Sequence, residues 1–133
     1  MKLQPDKLDV QTIQGYGAGW IALEGTRIEH SLVISSRGQR FDWDCASYEA
    51  LGPEHFARLA ELGPELVLFG SGDRLRFPRP AWLEPLVKRR IGVEAMDTAA
   101  ACRTYNILAG EGRHVVAALL LNALEPGNDF KVK

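Results

Sequence analysis

The chain has 133 residues, 46% of them hydrophobic and 25% charged, the balance of a globular protein with one folded core rather than of a disordered or membrane-embedded one. Sixteen Lys and Arg stand against seventeen Asp and Glu, for a formal net charge of -1. No global field gathers nucleic acid or anionic lipid, so no nucleic-acid partner is expected.

No apolar run approaches the ~20 residues of a membrane span, and no membrane insertion is expected. The opening Met1–Asp6 lacks the basic-then-apolar pattern of a secretory signal. The expectation is therefore a reducing cytoplasm, with Cys45 and Cys102 as free thiols. The two cysteines have neither C-x-x-C spacing nor a second pair, so no structural metal is expected.

In chain order, residues 1–9 are read as a flexible N-terminus, 10–122 as one α/β domain and 123–133 as a flexible tail. From Val10 to Trp43, short stretches rich in Val, Ile, Trp and Phe are punctuated by glycines, which predicts two or three β-hairpins. Arg27–Ile34 passes from polar-apolar alternation into an apolar run and predicts one strand entering the core, with Ser36–Gln39 as its turn. Pro53 opens a helix whose Phe56, Leu59, Ala60 and Leu62 share a face before Gly63-Pro64 ends it.

Glu65–Phe69 reads as a short buried strand that ends at Gly70-Ser71-Gly72. A second helix is predicted from about Pro80 to Arg89, with Trp82, Leu83, Leu86 and Val87 inward and the cationic Lys88-Arg89-Arg90 at its end, where positive charge suits the helix dipole. Gly92–Met96 returns as a strand, Asp97 or Thr98 caps a third helix that stops at Gly110, and His114–Leu121 is the last strand. This alternation predicts a three-layer α/β fold: a central mixed β-sheet with helices packed on it and an N-terminal β-hairpin region.

The third helix is the most informative segment. At 100° per residue, Ala101, Cys102, Tyr105, Leu108 and Ala109 share one side, while Ala100, Thr104 and Ile107 lie nearly opposite. Both sides are mainly apolar, so burial on more than one face is expected, with a narrow polar band of Arg103 and Asn106. Two readings of the band stand side by side. It could present a guanidinium fork and an amide to an acidic or carboxamide group. Alternatively, Arg103 pairs internally with Glu94 or Asp97 and ties helix to sheet.

Cys102 lies beyond the first turn, where the helix N-terminus no longer activates a thiol strongly, and reads as a buried apolar side chain. Tyr105 reads as a core aromatic with one wet end. The Gly70-Ser71-Gly72 loop sits where α/β sheets bind ligands. It does not run into a helix and has neither G-x-G-x-x-G nor a Lys-Ser/Thr ending, so a turn requirement outweighs a phosphate cradle. His30, His55 and His114 are far apart in sequence, and no G-x-S-x-G elbow or complete Ser-His-Asp order is visible.

Taken together, Phe69–Gly72, Gly92–Thr98, Arg103–Leu108 and Glu111–Arg113 resemble the domain family of unknown function that includes mitochondrial complex I assembly factor 3 and the adipogenesis-associated domain protein. The resemblance covers Val10 to Leu121. Where that family commonly shows Gly-Thr-Gly, this chain carries Ser71, which keeps the hydroxyl. The resemblance implies the same three-layer fold and no established catalytic residues. It also suggests, by analogy, a role in complex I assembly. The opening residues lack an Arg- and Ser-rich transit segment, so a bacterial cytoplasmic relative is expected.

The functional expectation is a non-catalytic protein-binding or assembly module without cofactor or metal. Its surface comprises Arg103, Asn106, Asp97 and the Gly70-Ser71-Gly72 loop, and a homodimer is left open. The alternative from the enzyme class is an anion site in which Arg103 holds the ligand and Ser71, Cys102 or Tyr105 takes part in chemistry. The plainest alternative is that these residues only specify the fold.

Overall fold

The computed structural model describes residues 11–121; the predicted flexible segments 1–9 and 123–133 lie outside them. Three short strands, β1 (Gly15–Gly17), β2 (Trp20–Leu23) and β3 (Thr26–Ile28), pair antiparallel into a small sheet. Then follow β4 (Leu32–Ser35), β5 (Arg40–Asp42), helix α1 (Pro53–Ala60), β6 (Leu66–Gly70), helix α2 (Glu84–Lys88), β7 (Gly92–Met96), helix α3 (Thr98–Gly110) and β8 (Val115–Leu119). Short 3-10 turns at Tyr48–Ala50 and Pro80–Leu83 precede α1 and α2.

The second sheet has five strands in the order β5-β4-β8-β6-β7. Strand β6 runs parallel to both β7 and β8, whereas β4 is antiparallel to β8 and β5, so the sheet is mixed as expected. The chain travels one way from β6 to β7 and the opposite way from β7 to β8. Crossovers of a single hand then put α2 and α3 on opposite faces, and the two apolar cores follow that division. Val115, Ala117 and Leu119 pack with α3 and the small sheet. Val116, Ala118 and Leu120 pack with the aromatic cluster of Trp43, Phe56, Phe69 and Trp82. Covered on both sides, β8 needs apolar residues at every position, which is why its sequence is a continuous run.

Four expectations are corrected. Arg27–Ile34 is two strands in two different sheets: Ile28 ends β3, exposed Glu29 and His30 cross the gap, and Leu32 opens β4. The alternation and the apolar run belonged to separate elements. The predicted helix Pro80–Arg89 is a 3-10 turn followed by five α-helical residues, because Pro85 has no N–H to donate to Ala81 and cannot carry an α ladder through. Val87, expected inward, is 66% exposed. The last strand covers Val115–Leu119 rather than His114–Leu121.

Helix α1 has Pro53 in its first turn as expected, and its N-cap is stapled by His55, whose Nδ1 accepts from the Gly52 N–H at 3.1 Å. The proton of His55 then lies on Nε2, which donates to the Asp44 carbonyl at 2.7 Å. At the other end, Arg89 donates at 2.8 Å to the Ala60 carbonyl, which also accepts from the Gly63 N–H at 3.0 Å in the turn that closes the helix. Arg89 of the cationic cluster thus ties α2 to the end of a neighbouring helix. No helix among the described residues is long and apolar enough to cross a membrane.

Candidate functional site

Helix α3 starts where the sequence says it should. Asp97 is the N-cap, and its Oδ1 accepts from the Ala100 N–H at 2.8 Å. Thr98 is buried and ties three elements together: its hydroxyl donates to the Leu120 carbonyl at 2.8 Å and accepts from the Gly72 N–H at 2.9 Å, while its own N–H donates to the Gly72 carbonyl at 2.8 Å.

Each residue of the Gly70-Ser71-Gly72 loop has a local reason. Gly70 is close-packed, for a Cβ there would stand 3.1 Å from Ala101 Cβ, Leu119 Cδ2 and Thr98 Cα. Gly72 adopts φ 104°, a conformation that L side chains rarely take. Ser71 is buried. Its Oγ faces the carbonyls of Arg74 at 2.8 Å and Met96 at 3.1 Å as donor, and accepts from the Arg76 N–H at 2.9 Å. With its acceptor and donor both engaged, this hydroxyl shapes the segment that follows it.

The polar band of α3 is taken up by the N-terminal segment, a partner 87 or more residues away in sequence. Asn106 Oδ1 accepts from the Ile13 N–H and Asn106 Nδ2 donates to the Ile13 carbonyl, both at 2.8 Å. Its amide therefore mimics a strand neighbour and holds buried Ile13 in register. Tyr105 Oη donates to the Gln11 carbonyl at 2.8 Å. Its ring is fully buried, and burial pushes its hydroxyl above the ordinary tyrosine range.

Arg103 is exposed, and its guanidinium donates to Tyr16 Oη at 3.0 Å. Neither Glu94 nor Asp97 pairs with it among the described ion pairs, which corrects the internal-pairing reading: the phenol of β1 takes the place expected of a carboxylate. The second face of α3 is also not buried, since Ile107 is 61% exposed. Ala100 and Thr104 on that side are half-buried.

Nucleophile chemistry at this site has little support from the geometry. Burial pushes the Cys102 thiol up to about 12, and that of Cys45 likewise, so both are protonated at neutral pH. An open cleft of about 410 Å³ lies elsewhere, lined by Ile28, His30, Arg40 and Asp42 among others; Arg103, Asn106, Asp97 and the Gly70-Ser71-Gly72 loop do not line it. Among the described residues, no group of three or more His, Cys, Asp or Glu is placed to hold a metal ion.

Two features escaped the sequence reading. One is the partner of the polar band, Ile13 and Tyr16, which no local pattern reveals. The other is the loop from Asp73 to Arg79, where Phe77 is 69% and Leu75 50% exposed. Its signal was legible as arginines alternating with Leu75 and Phe77 ahead of Pro78-Arg79-Pro80.

The family described as protein of unknown function (DUF498/DUF598) matches residues 13–120. The chain is similar to the human NADH dehydrogenase [ubiquinone] 1 alpha subcomplex assembly factor 3, with 30% identity over 127 residues that cover 89% of this chain and 65% of the relative. Across the frog, cattle and human relatives of that name, the chain spans 59% to 69% of their own length. Among solved structures, a protein from Bordetella parapertussis shares 38% identity at a TM-score of 0.80, covering 85% of this chain and 97% of that one. A Mth938-like domain from Bordetella pertussis shares 31% at a TM-score of 0.75, covering 97% of this chain and 98% of that one.

Proposed function

Because the chain belongs to the DUF498/DUF598 family, whose relatives include complex I assembly factors, we propose that it is a non-catalytic module that binds a protein partner during assembly of a larger complex, in the cytoplasm of a bacterium. One observation carries this reading. The motif side chains that could do chemistry are engaged inside the fold, Ser71 by three hydrogen-bond partners and Asn106 by two, and Cys102 is buried. What the motif leaves in solvent is a surface, with Arg103 anchored by Tyr16 and Ile107 one turn further along α3.

With one donor fixed on Tyr16 and no other hydrogen-bond partner of its guanidinium among the described residues, Arg103 is pre-organised for a carboxylate. The exposed isoleucine beside it adds apolar area to such a contact. The test is affinity purification of the tagged full chain from its native cells, comparing wild type with Arg103→Ala. The expected outcome is a specific partner, or a second copy of the chain, whose retention falls about tenfold in the variant. Recovery of nothing specific by wild type, together with no change in the variant, overturns the proposal.

A further inference from the structure

Between β6 and the 3-10 turn at Pro80 the chain reads Asp73-Arg74-Leu75-Arg76-Phe77-Pro78-Arg79, and its two apolar side chains stand mostly in water, Phe77 at 69% and Leu75 at 50% exposure. Its backbone is held nonetheless. Ser71 Oγ bonds the Arg74 carbonyl at 2.8 Å and the Arg76 N–H at 2.9 Å, and Tyr48 Oη donates to the Phe77 carbonyl at 2.7 Å. Pro78 and Pro80 fix φ on either side of Arg79. A segment ordered before binding loses less entropy when it docks. Exposed apolar side chains on a held backbone are therefore an interaction feature.

The charges around them divide. Arg76 lies 3.3 Å from Glu49 and over the Tyr48 ring, whereas no ion pair among the described residues links Arg74 or Arg79 to an acid. Arg79 rests over the Trp82 ring, which keeps its position while leaving its donors free. We propose that the Arg74–Arg79 loop is a docking element that places Phe77 and Leu75 in an apolar pocket of a protein partner, with Arg74 and Arg79 meeting carboxylates on the pocket's rim. The inference rests on the partner-binding reading above and specifies the partner's chemistry.

Charge and composition decide the occupant. Aromatic residues and arginine are the groups that dominate protein interfaces, and the loop contains no lysine. A membrane surface is drawn by clusters of about four to eight cations. Here Arg74 and Arg79, outside every ion pair among the described residues, share the loop with Asp73 and are too few to hold the chain at anionic lipid.

The test uses a random peptide library displayed on phage and selected on the immobilised full chain. The expected peptides combine an aromatic or aliphatic residue with several Asp or Glu. A synthetic copy should bind about tenfold or more weakly to Phe77→Ala and to Arg79→Glu, and more weakly in high salt. Arg37→Glu, the same charge reversal at the opposite end of the sheet, leaves binding unchanged. Melting curves confirm the fold of each variant, and Leu75→Ala replaces either one that unfolds. No selected peptide, peptides without acids, or binding indifferent to the loop variants overturns the proposal. So does Phe77-dependent sedimentation with phosphatidylglycerol vesicles. If co-purification recovers a partner that the loop variants retain in full, the loop assignment fails while the partner-binding reading stands; if no partner is recovered, that reading fails too.

Discussion

Asn106 shows how a residue that looks like a ligand-binding group becomes a structural one. Its carboxamide is the side chain that most closely copies a peptide unit, so it can bond both polar groups of Ile13 at once. Asn106→Ala leaves an N–H and a carbonyl of a buried residue without partners, and we expect a loss of about 2–4 kcal/mol, read as a lower urea midpoint. Asn106→Asp should recover little of it, because a carboxylate still accepts from the N–H but is set against the carbonyl. A loss below about 0.5 kcal/mol in the alanine variant contradicts the clamp, for that is the effect of an ordinary surface change. The reading of Cys102 as a small buried hydrophobe was available from sequence and agrees with its complete burial. The exposure of Arg103 was not, since only the placement of Tyr16 settles it.

At the scale of elements, α3 is docked by small residues on its inner side and by hydrogen bonds at its start. Gly70 lets the helix approach the sheet: the nearest atoms to an added Cβ include Thr98 Cα, a backbone atom that cannot rotate away. Gly70→Ala should therefore destabilise by about 1–3 kcal/mol through overpacking, measured by thermal or urea unfolding. An unchanged midpoint would show that the helix–sheet spacing is softer than the 3.1 Å contacts imply. The cap at Asp97, the stop near Gly110 and the strands β6, β7 and β8 were legible because each carries a local signal: a capping carboxylate, a glycine, a run of apolar residues. The division of Arg27–Ile34 between two sheets and the break at Pro85 were misjudged, because periodicity averages over neighbours and passes across a junction.

For the whole molecule, the start of the five-stranded sheet makes stability depend on acid. The His114 N–H donates to Glu65 at 3.1 Å and Arg113 lies 3.2 Å away, and these bonds hold the exposed Glu65 carboxyl below its ordinary 4.5. Burial, with Arg37 nearby, holds His114 below 6.5, and its Nε2 has no hydrogen-bond partner among the described residues. Both groups bind protons less readily folded than unfolded, so each contributes stability above its unfolded value and loses it as pH falls. The melting temperature should decline first below about pH 6.5 and again below about pH 4.5. His114→Leu should flatten the first decline and Glu65→Gln the second; variants that keep the wild-type profile would refute the assignment. The α/β class, the order of the main strands and helices and the family could be read from the residues alone, since they follow from local periodicity, caps and glycines. What Arg103, Asn106 and Ser71 touch, and which apolar side chains stay in water, came from the folded chain. Those outcomes depend on segments up to 94 residues apart meeting in space, and a pattern in one segment states that a side chain needs a partner without stating which one it finds.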